Sequence, residues 1–262
     1  MSAQYVREAK YDGEITDGII ADSQIQENVI KRAFYLNSNA EILRYGLPCN
    51  DVLIRNKRNL KLCHEIRNKL NLSDKDFIVL YAPTFRDDNS MEFYIEDYEK
   101  LIKEIEKTFN KKCVFLVRMH PNVKSMDLKI HFDDNVMNLS SYPDVQELVL
   151  AADCLISDYS SIMFNFLLLN KIVFLYSPDL EIYKKLRGLS QEYYNLPFRR
   201  GNNIEELLAC VDSYNEKEYL FEIQSYLEKC SDYNDGNSAM HTADWILEKM
   251  KYRGDEKVWK EY

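Results

Sequence analysis

The stretch Ala152-Asp-Cys-Leu-Ile-Ser-Asp-Tyr-Ser-Ser161 reads as a buried strand whose carboxyl end runs into polar residues that open a helix. A helix start presents unpaired backbone N–H groups and the positive end of the peptide dipoles, so an anion is stabilised there. Ser160 and Ser161 add hydroxyl donors at the same place, with Asp158 beside them. The plainer reading carries equal weight: Asp158 or Ser160 simply caps the helix.

Two further clusters repeat this arrangement. In Leu116-Val-Arg-Met-His-Pro121 an apolar strand delivers Arg118 and His120 to its carboxyl end. Arginine suits phosphate, and histidine exchanges a proton near neutral pH, although a histidine at a strand end is more often structural. In Tyr81-Ala-Pro-Thr-Phe-Arg-Asp-Asp88, Thr84 and Arg86 follow another apolar strand and can touch a ligand. Taken alone, that motif is better read as a surface loop with an Arg–Asp pair. Three such clusters on three strands of one sheet should converge on a single cleft. His64, His131 and His241 lack comparable surroundings, and the sequence assigns them no role.

The elements that would position these residues are legible as short apolar runs, Phe77–Tyr81, Cys113–Val117, Cys154–Ser157 and Ile172–Tyr176, each resembling a strand buried on both faces. Amphipathic segments lie between them, at Ile95–Phe109, Asp144–Ala152 and Ser160–Leu169. That alternation predicts an α/β fold with a parallel sheet wrapped by helices. Upstream, Asp17–Ala21 and Ile42–Tyr45 read as strands around a helix at Gln24–Phe34. Downstream, Ile204–Tyr214, Lys217–Cys230 and Ser238–Lys251 read as consecutive helices.

Composition narrows the function. The chain has 262 residues, 34 basic against 43 acidic, for a net charge of -9. That balance argues against a surface built to neutralise nucleic acid or anionic lipid. The six cysteines show no C-x-x-C pair and no histidine at ligand spacing, so they read as reduced, buried thiols of a cytosolic protein, with no metal site. No apolar run approaches the roughly 20 residues of a membrane-spanning helix. G-x-G-x-x-G, G-x-x-x-x-G-K-[ST] and H-E-x-x-H are all absent, which removes most support for dehydrogenase, P-loop and zincin readings.

Read together, the motifs resemble a known family. Tyr81 to Asp88, Arg118-Met-His-Pro121, Asp144-Val-Gln-Glu-Leu148, Ser157-Asp-Tyr-Ser-Ser161, Asp179-Leu-Glu-Ile-Tyr183 with Arg187-Gly188, and Asp235-Gly-Asn237 are similar in order and spacing to the motif set of CDP-glycerol:poly(glycerophosphate) glycerophosphotransferases. Tyr45-Gly-Leu-Pro-Cys-Asn-Asp51 resembles that family's G-x-P-R-N-D turn, with Cys49 in place of arginine. Asn165 and Ile172 depart from a frequent acidic residue and a frequent proline.

The resemblance implies a GT-B type protein in which two Rossmann-like domains face each other and the C-terminal one holds the activated donor. It implies transfer of glycerol phosphate, or ribitol phosphate, from a CDP-activated donor to a hydroxyl of a teichoic-acid-like or capsular polymer, or of a lipid-linked acceptor, releasing CMP without metal or cofactor. Carried over, His120 is the catalytic histidine, as a base or as a phosphate ligand. The donor-binding set is Thr84, Arg86, Arg118, Glu147, Asp158, Ser160 and Ser161, with the two serines on the phosphates and Glu147 near the nucleoside. The expected domains are 1–55, the closing part of an incomplete N-terminal domain; 56–235, the Rossmann-like donor-binding domain; and 236–262, a closing helix. The family's H-G-[ST]-x-x-K motif is not found in the chain. The expectation is therefore a donor-binding half that turns over only with an N-terminal half as partner, in the cytoplasm or peripheral on the cytoplasmic face of the membrane. A donor-binding fragment without turnover and a GT-B enzyme using another nucleotide-linked donor are the alternatives.

Overall fold

The computed structural model describes residues 3–86, 92–95, 97–120, 123 and 130–255, so Asp87, Asp88 and Pro121 of the motifs lie outside the described residues. In chain order the elements are α1 (Ala3–Ile15), β1 (Gly18–Ile20), α2 (Gln24–Ala33), β2 (Glu41–Leu43), α3 (Asp51–Asn56), α4 (Leu60–Lys69), β3 (Phe77–Tyr81), α5 (Tyr98–Phe109) and β4 (Cys113–Val117). There follow β5 (Val136–Asn138), α6 (Val145–Ala151), β6 (Cys154–Ser157), α7 (Ile162–Leu168), β7 (Ile172–Tyr176), α8 (Leu180–Arg187), β8 (Arg199–Gly201), α9 (Ile204–Asp212), α10 (Glu216–Cys230) and α11 (Ser238–Asp255). Two compact units emerge: the described parts of Met1–Arg55 with Leu227–Tyr262, and Asn56–Tyr226.

The Asn56–Tyr226 unit is built on six parallel strands in the order β5-β4-β3-β6-β7-β8. This is the expected α/β fold, and its strand order is that of a doubly wound sheet. After β3 the chain builds outward to β4 and β5, then returns to β3's other side to lay down β6, β7 and β8. The crevice outside the carboxyl ends of β3 and β6 is therefore the topological switch point where such sheets bind ligands. Every residue of β3, β4 and β6 is buried, as a strand covered on both faces requires.

The helices owe their starts to side-chain caps. Asp97 accepts from Lys100 N, Asp144 from Gln146 N and Asn203 from Glu206 N. The cap at Asp97 is why α5 begins at Tyr98 rather than Ile95. Its buried face, Tyr98, Leu101 and Ile105, packs into the core cluster with Phe115 and Val79. At the other edge of the sheet, α6 ends against two cations, since Arg67 Nε and Nη2 donate to Ala151 O at 3.0 and 2.8 Å. Lys171 Nζ donates to the carbonyls of Val149, Leu150 and Ala152 at 2.9, 2.7 and 2.5 Å. Cations at a helix C-terminus meet its orphan carbonyls and the negative end of its dipole. Burial nonetheless pushes the Lys171 ammonium down to about 8. None of the six cysteines is disulfide-bonded; Cys49 is exposed, which departs from the buried-thiol reading, whereas Cys113, Cys154 and Cys230 are buried.

In the other unit β1 and β2 pair in parallel, with Gly18 opposite Glu41 and Ile20 opposite Leu43. Trp245 of α11 lies so close to Gly18 that a Cβ there would meet its ring at 2.6 Å, which excludes any larger residue. The start of α11 is capped from a distance, because the buried Asp51 accepts from Ser238 N and Ala239 N, both at 2.9 Å. Burial alone would raise the Asp51 carboxyl, but the two N–H groups outweigh it and the pKa is lowered. Asp51→Ala is expected to cost about 1–2 kcal/mol in chemical denaturation, the worth of a lost cap. A depressed carboxylate stabilises the fold above its unfolded pKa and ceases to do so as pH falls through the folded one. The difference between wild type and variant should therefore close below about pH 4.

Candidate functional site

The loops that leave β3 and β6 are stitched together before any functional group appears. Ala82 N donates to Ile156 O at 3.1 Å, and Ser157 Oγ donates to Ala82 O at 2.6 Å. One residue on, Asp158 Oδ1 accepts from Thr84 N at 2.8 Å and from Tyr159 N at 2.6 Å. Its other oxygen, Oδ2, accepts from Arg86 Nη2 at 2.9 Å.

Arg86 is only 6% exposed and reaches a third strand. Its Nε and Nη2 donate to Asp179 Oδ2 and Oδ1 at 2.6 and 3.0 Å, just past the end of β7, and its Nη1 donates to Thr84 O at 2.6 Å. Tyr159 OH donates to the same Asp179 oxygen at 2.9 Å. Aromatic faces complete the enclosure. The guanidinium lies 5.2 and 5.4 Å from the ring centres of Tyr159 and Tyr183, which stack on each other at 3.7 Å. Tyr193 OH fixes the backbone by donating to Asp158 O at 3.0 Å. Burial would favour a neutral guanidinium, but the two carboxylates outweigh it and raise the pKa, so Arg86 stays charged.

The residues named from sequence thus divide. Arg86 and Asp158 face inward and bind each other and the scaffold. Glu147 is likewise engaged, accepting from Lys69 Nζ at 2.7 Å and from Tyr142 OH, and Lys69 leads in holding its carboxyl below the usual range. Facing outward are Ser161, which is exposed and makes no capping bond, and the half-buried Ser160, whose Oγ accepts only a 3.5 Å contact from Ile162 N. At the end of β4 His120 is exposed, with its ring stacked on Phe85 at 5.5 Å. Arg118 is half-buried, and its Nη1 donates to two neutral carbonyls, Leu139 O at 3.2 Å and Tyr142 O at 2.5 Å. Burial lowers its pKa, and Asp144 opposes this only through space.

Because β3, β4 and β6 are parallel neighbours, the loops bearing Thr84, His120 and Ser160 all leave the same edge of the sheet. Such an edge offers hydroxyl and guanidinium donors to an anion and a histidine to a transferable proton. Among the described residues no group of three His, Cys, Asp or Glu side chains could hold a metal ion, and no helix is long and apolar enough to cross a membrane.

Sequence reasoning assigned no role to Asp179, Tyr159, Tyr183 or Tyr193. The available signal was positional: Asp179 follows β7 much as Asp158 follows β6, so two neighbouring strands each present a carboxylate at the same edge.

Residues 2–248 match the family described as CDP-Glycerol:Poly(glycerophosphate) glycerophosphotransferase. A teichoic acid glycerol-phosphate primase of Bacillus subtilis is 31% identical over 88% of this chain and 57% of its own length. A teichoic acid poly(glycerol phosphate) polymerase of Staphylococcus epidermidis is 28% identical over 95% of this chain and 35% of its own. A solved structure of a variant of the wall teichoic acid polymerase TagF, soaked with CDPG, superposes with a TM-score of 0.78 at 27% identity, over 95% of this chain and 62% of that one. The chain therefore spans between about a third and three fifths of the length of these relatives.

Two hydroxyls at this edge stand out energetically, those of Thr84 and of Ser177 just past β7. Thr84 Oγ1 is buried and finds no hydrogen-bond partner among the described residues. A buried hydroxyl without a partner costs about 1–3 kcal/mol, so Thr84→Val, which keeps the β-branched shape, is expected to stabilise the ligand-free protein by about 1 kcal/mol. A melting temperature equal to or below that of wild type would refute this.

Proposed function

The chain belongs to the CDP-glycerol:poly(glycerophosphate) glycerophosphotransferase family, and from that premise we propose that it takes part in transferring glycerol phosphate from CDP-glycerol to a hydroxyl of a teichoic-acid-like acceptor, with release of CMP. The observation that carries this reading is the superposition, over 95% of the chain, on a polymerase soaked with CDPG. The site supports it through its donors. Ser160 and Ser161 present hydroxyls to the donor's phosphates at the switch point, and the half-buried Arg118 supplies positive charge nearby.

In the proposed reaction the acceptor oxygen attacks the phosphorus that bears glycerol. A new P–O bond forms as the bond to CMP breaks, and the electron pair leaves with CMP. His120, exposed at the same edge, takes the proton of the attacking hydroxyl. Its ring lies against that of Phe85, with centroids 5.5 Å apart. The acceptor must be held in line with the donor, and such positioning contributes on the order of 7–11 kcal/mol in favourable cases. Acceptor binding, assembly with an N-terminal half and a place on the cytoplasmic face of the membrane belong to the same proposal.

Two measurements test it. Ser160→Ala combined with Ser161→Ala should weaken CDP-glycerol binding at least about tenfold in titration calorimetry while leaving cytidine binding unchanged, since each bond to a charged oxygen is worth about 1.5–3 kcal/mol. Equal loss for both ligands would contradict the assignment. In an assay of CMP release with a lipid-linked acceptor and an N-terminal half supplied, His120→Ala should abolish acceptor-dependent release yet keep CDP-glycerol affinity. Preference for CDP-ribitol in either assay would change the cargo, and activity retained by His120→Ala would remove histidine from the chemistry.

A further inference from the structure

We propose that Arg86 is a positioning residue for the donor site, resting on the reading above: it does not touch the donor, but through Asp158 and Asp179 it sets the turn on which Ser160 and Ser161 stand. The geometry favours this over a direct grip on phosphate. Four of the five N–H donors of a guanidinium are needed for the bonds already described, to Asp179, to Asp158 and to Thr84 O. The group is buried under Tyr159 and Tyr183, and its charge is met by two carboxylates. One N–H, on Nη1, is left over, so a forked grip on an anion would need a second donor taken from a partner the arginine already holds.

The coupling to the turn runs through hydrogen bonds. Asp158 receives Arg86 on one oxygen and the N–H groups of Thr84 and Tyr159 on the other, so the arginine sets the carboxylate plane that holds the loops after β3 and β6. Asp179 receives Arg86 and the hydroxyl of Tyr159, the residue immediately before Ser160, which ties the end of β7 to the same turn. Lysine cannot replace this arrangement, because one ammonium supplies no planar fork for a bidentate carboxylate and a second acceptor at once.

The two roles predict opposite signs for one substitution. If Arg86 gripped phosphate directly, Asp179→Asn would release it from a competing anion and tighten CDP-glycerol binding. As a positioning residue it should instead lose its anchor, and Asp179→Asn and Arg86→Lys should each weaken CDP-glycerol binding at least about tenfold with cytidine binding preserved. Combined with Ser160→Ala and Ser161→Ala, either change should add much less than its separate loss, because both act through the same turn. A readout independent of ligand is amide exchange, in which Arg86→Lys should accelerate Thr84 and Tyr159 while strands β3 and β4 stay protected. Tyr159→Phe, which keeps the ring and removes one bond to Asp179, gives a milder loss in the same direction and serves if Arg86→Lys does not fold. Tighter or unchanged binding by Asp179→Asn, fully additive losses, or unaltered exchange at Thr84 and Tyr159 would each overturn the proposal. If wild type binds neither CDP-glycerol nor cytidine, the donor reading fails, and the exchange experiment still decides whether Arg86 orders the turn.

Discussion

Arg86, in the loop after β3, finds its two carboxylates in the loops after two other strands, 72 and 93 residues further along the chain, and the site's geometry follows from that arrangement. A doubly wound sheet opens at its switch point because the chain leaves β3 in one direction and returns on the other side to form β6. The loops on either side of that opening share no regular backbone ladder, so something else must hold them. An apolar plug of equal volume would often stabilise more, since buried charges are costly to desolvate. It would not, however, fix the direction of each loop's N–H groups. A planar guanidinium between two carboxylates does so through bonds with defined angles, and removing one member leaves a buried charge uncompensated, which typically costs about 3–5 kcal/mol.

This explains how the polar residues of the edge divide. Arg86, Asp158 and Asp179 are engaged with one another inside the protein, and Glu147 is held at the surface by Lys69. Those left facing outward are small or adaptable: two serines and a histidine. The fully buried strands β3, β4 and β6 form a stiff base beneath them, because close-packed interiors transmit rather than absorb displacement. This edge thus rests on two layers, an apolar one that sets the positions of strand ends and an ionic one that sets the course of the loops.

The apolar layer was legible in the sequence. Phe77–Tyr81, Cys113–Val117, Cys154–Ser157 and Ile172–Tyr176 are strands with the expected ends, since a strand buried on both faces must be apolar throughout. The edge strands β5 and β8 were not legible: each has three residues, and Arg199-Arg-Gly201 carries two charges in a place where only one side meets another strand. Helix α8 has only eight residues, about two turns, so its apolar positions Leu180, Tyr183 and Leu186 are too few to stand out as a period. The unit boundary near Leu227 lies within α10, whose continuous helical pattern carries no break. The ionic layer was half legible. An Arg–Asp pair was anticipated in the loop after β3, but with a near neighbour as partner. The observed partners are distant in sequence, and nothing in a linear pattern distinguishes an aspartate that caps a helix from one that receives a buried arginine.

Charge sets a last constraint on the proposed binding of a diphosphate at this edge. A guanidinium between two carboxylates is net negative, and the chain as a whole carries -9. The Arg86 cluster therefore cannot attract an anion by its field, and long-range steering by the protein works against one. In the proposed reading, affinity for phosphate comes from short-range donors: the serine hydroxyls and the half-buried guanidinium of Arg118, whose hydrogen-bond partners among the described residues are neutral carbonyls. Burial lowers its pKa because no carboxylate offsets its desolvation by direct contact. In the proposed reading a bound phosphate supplies the counter-charge that offsets this desolvation. Arg86 and Arg118, indistinguishable as arginines after apolar strands, thus differ in their surroundings: the first is met by two carboxylates and the second by neutral carbonyls, which is why the proposed reading gives the first to building the turn and the second to the anion.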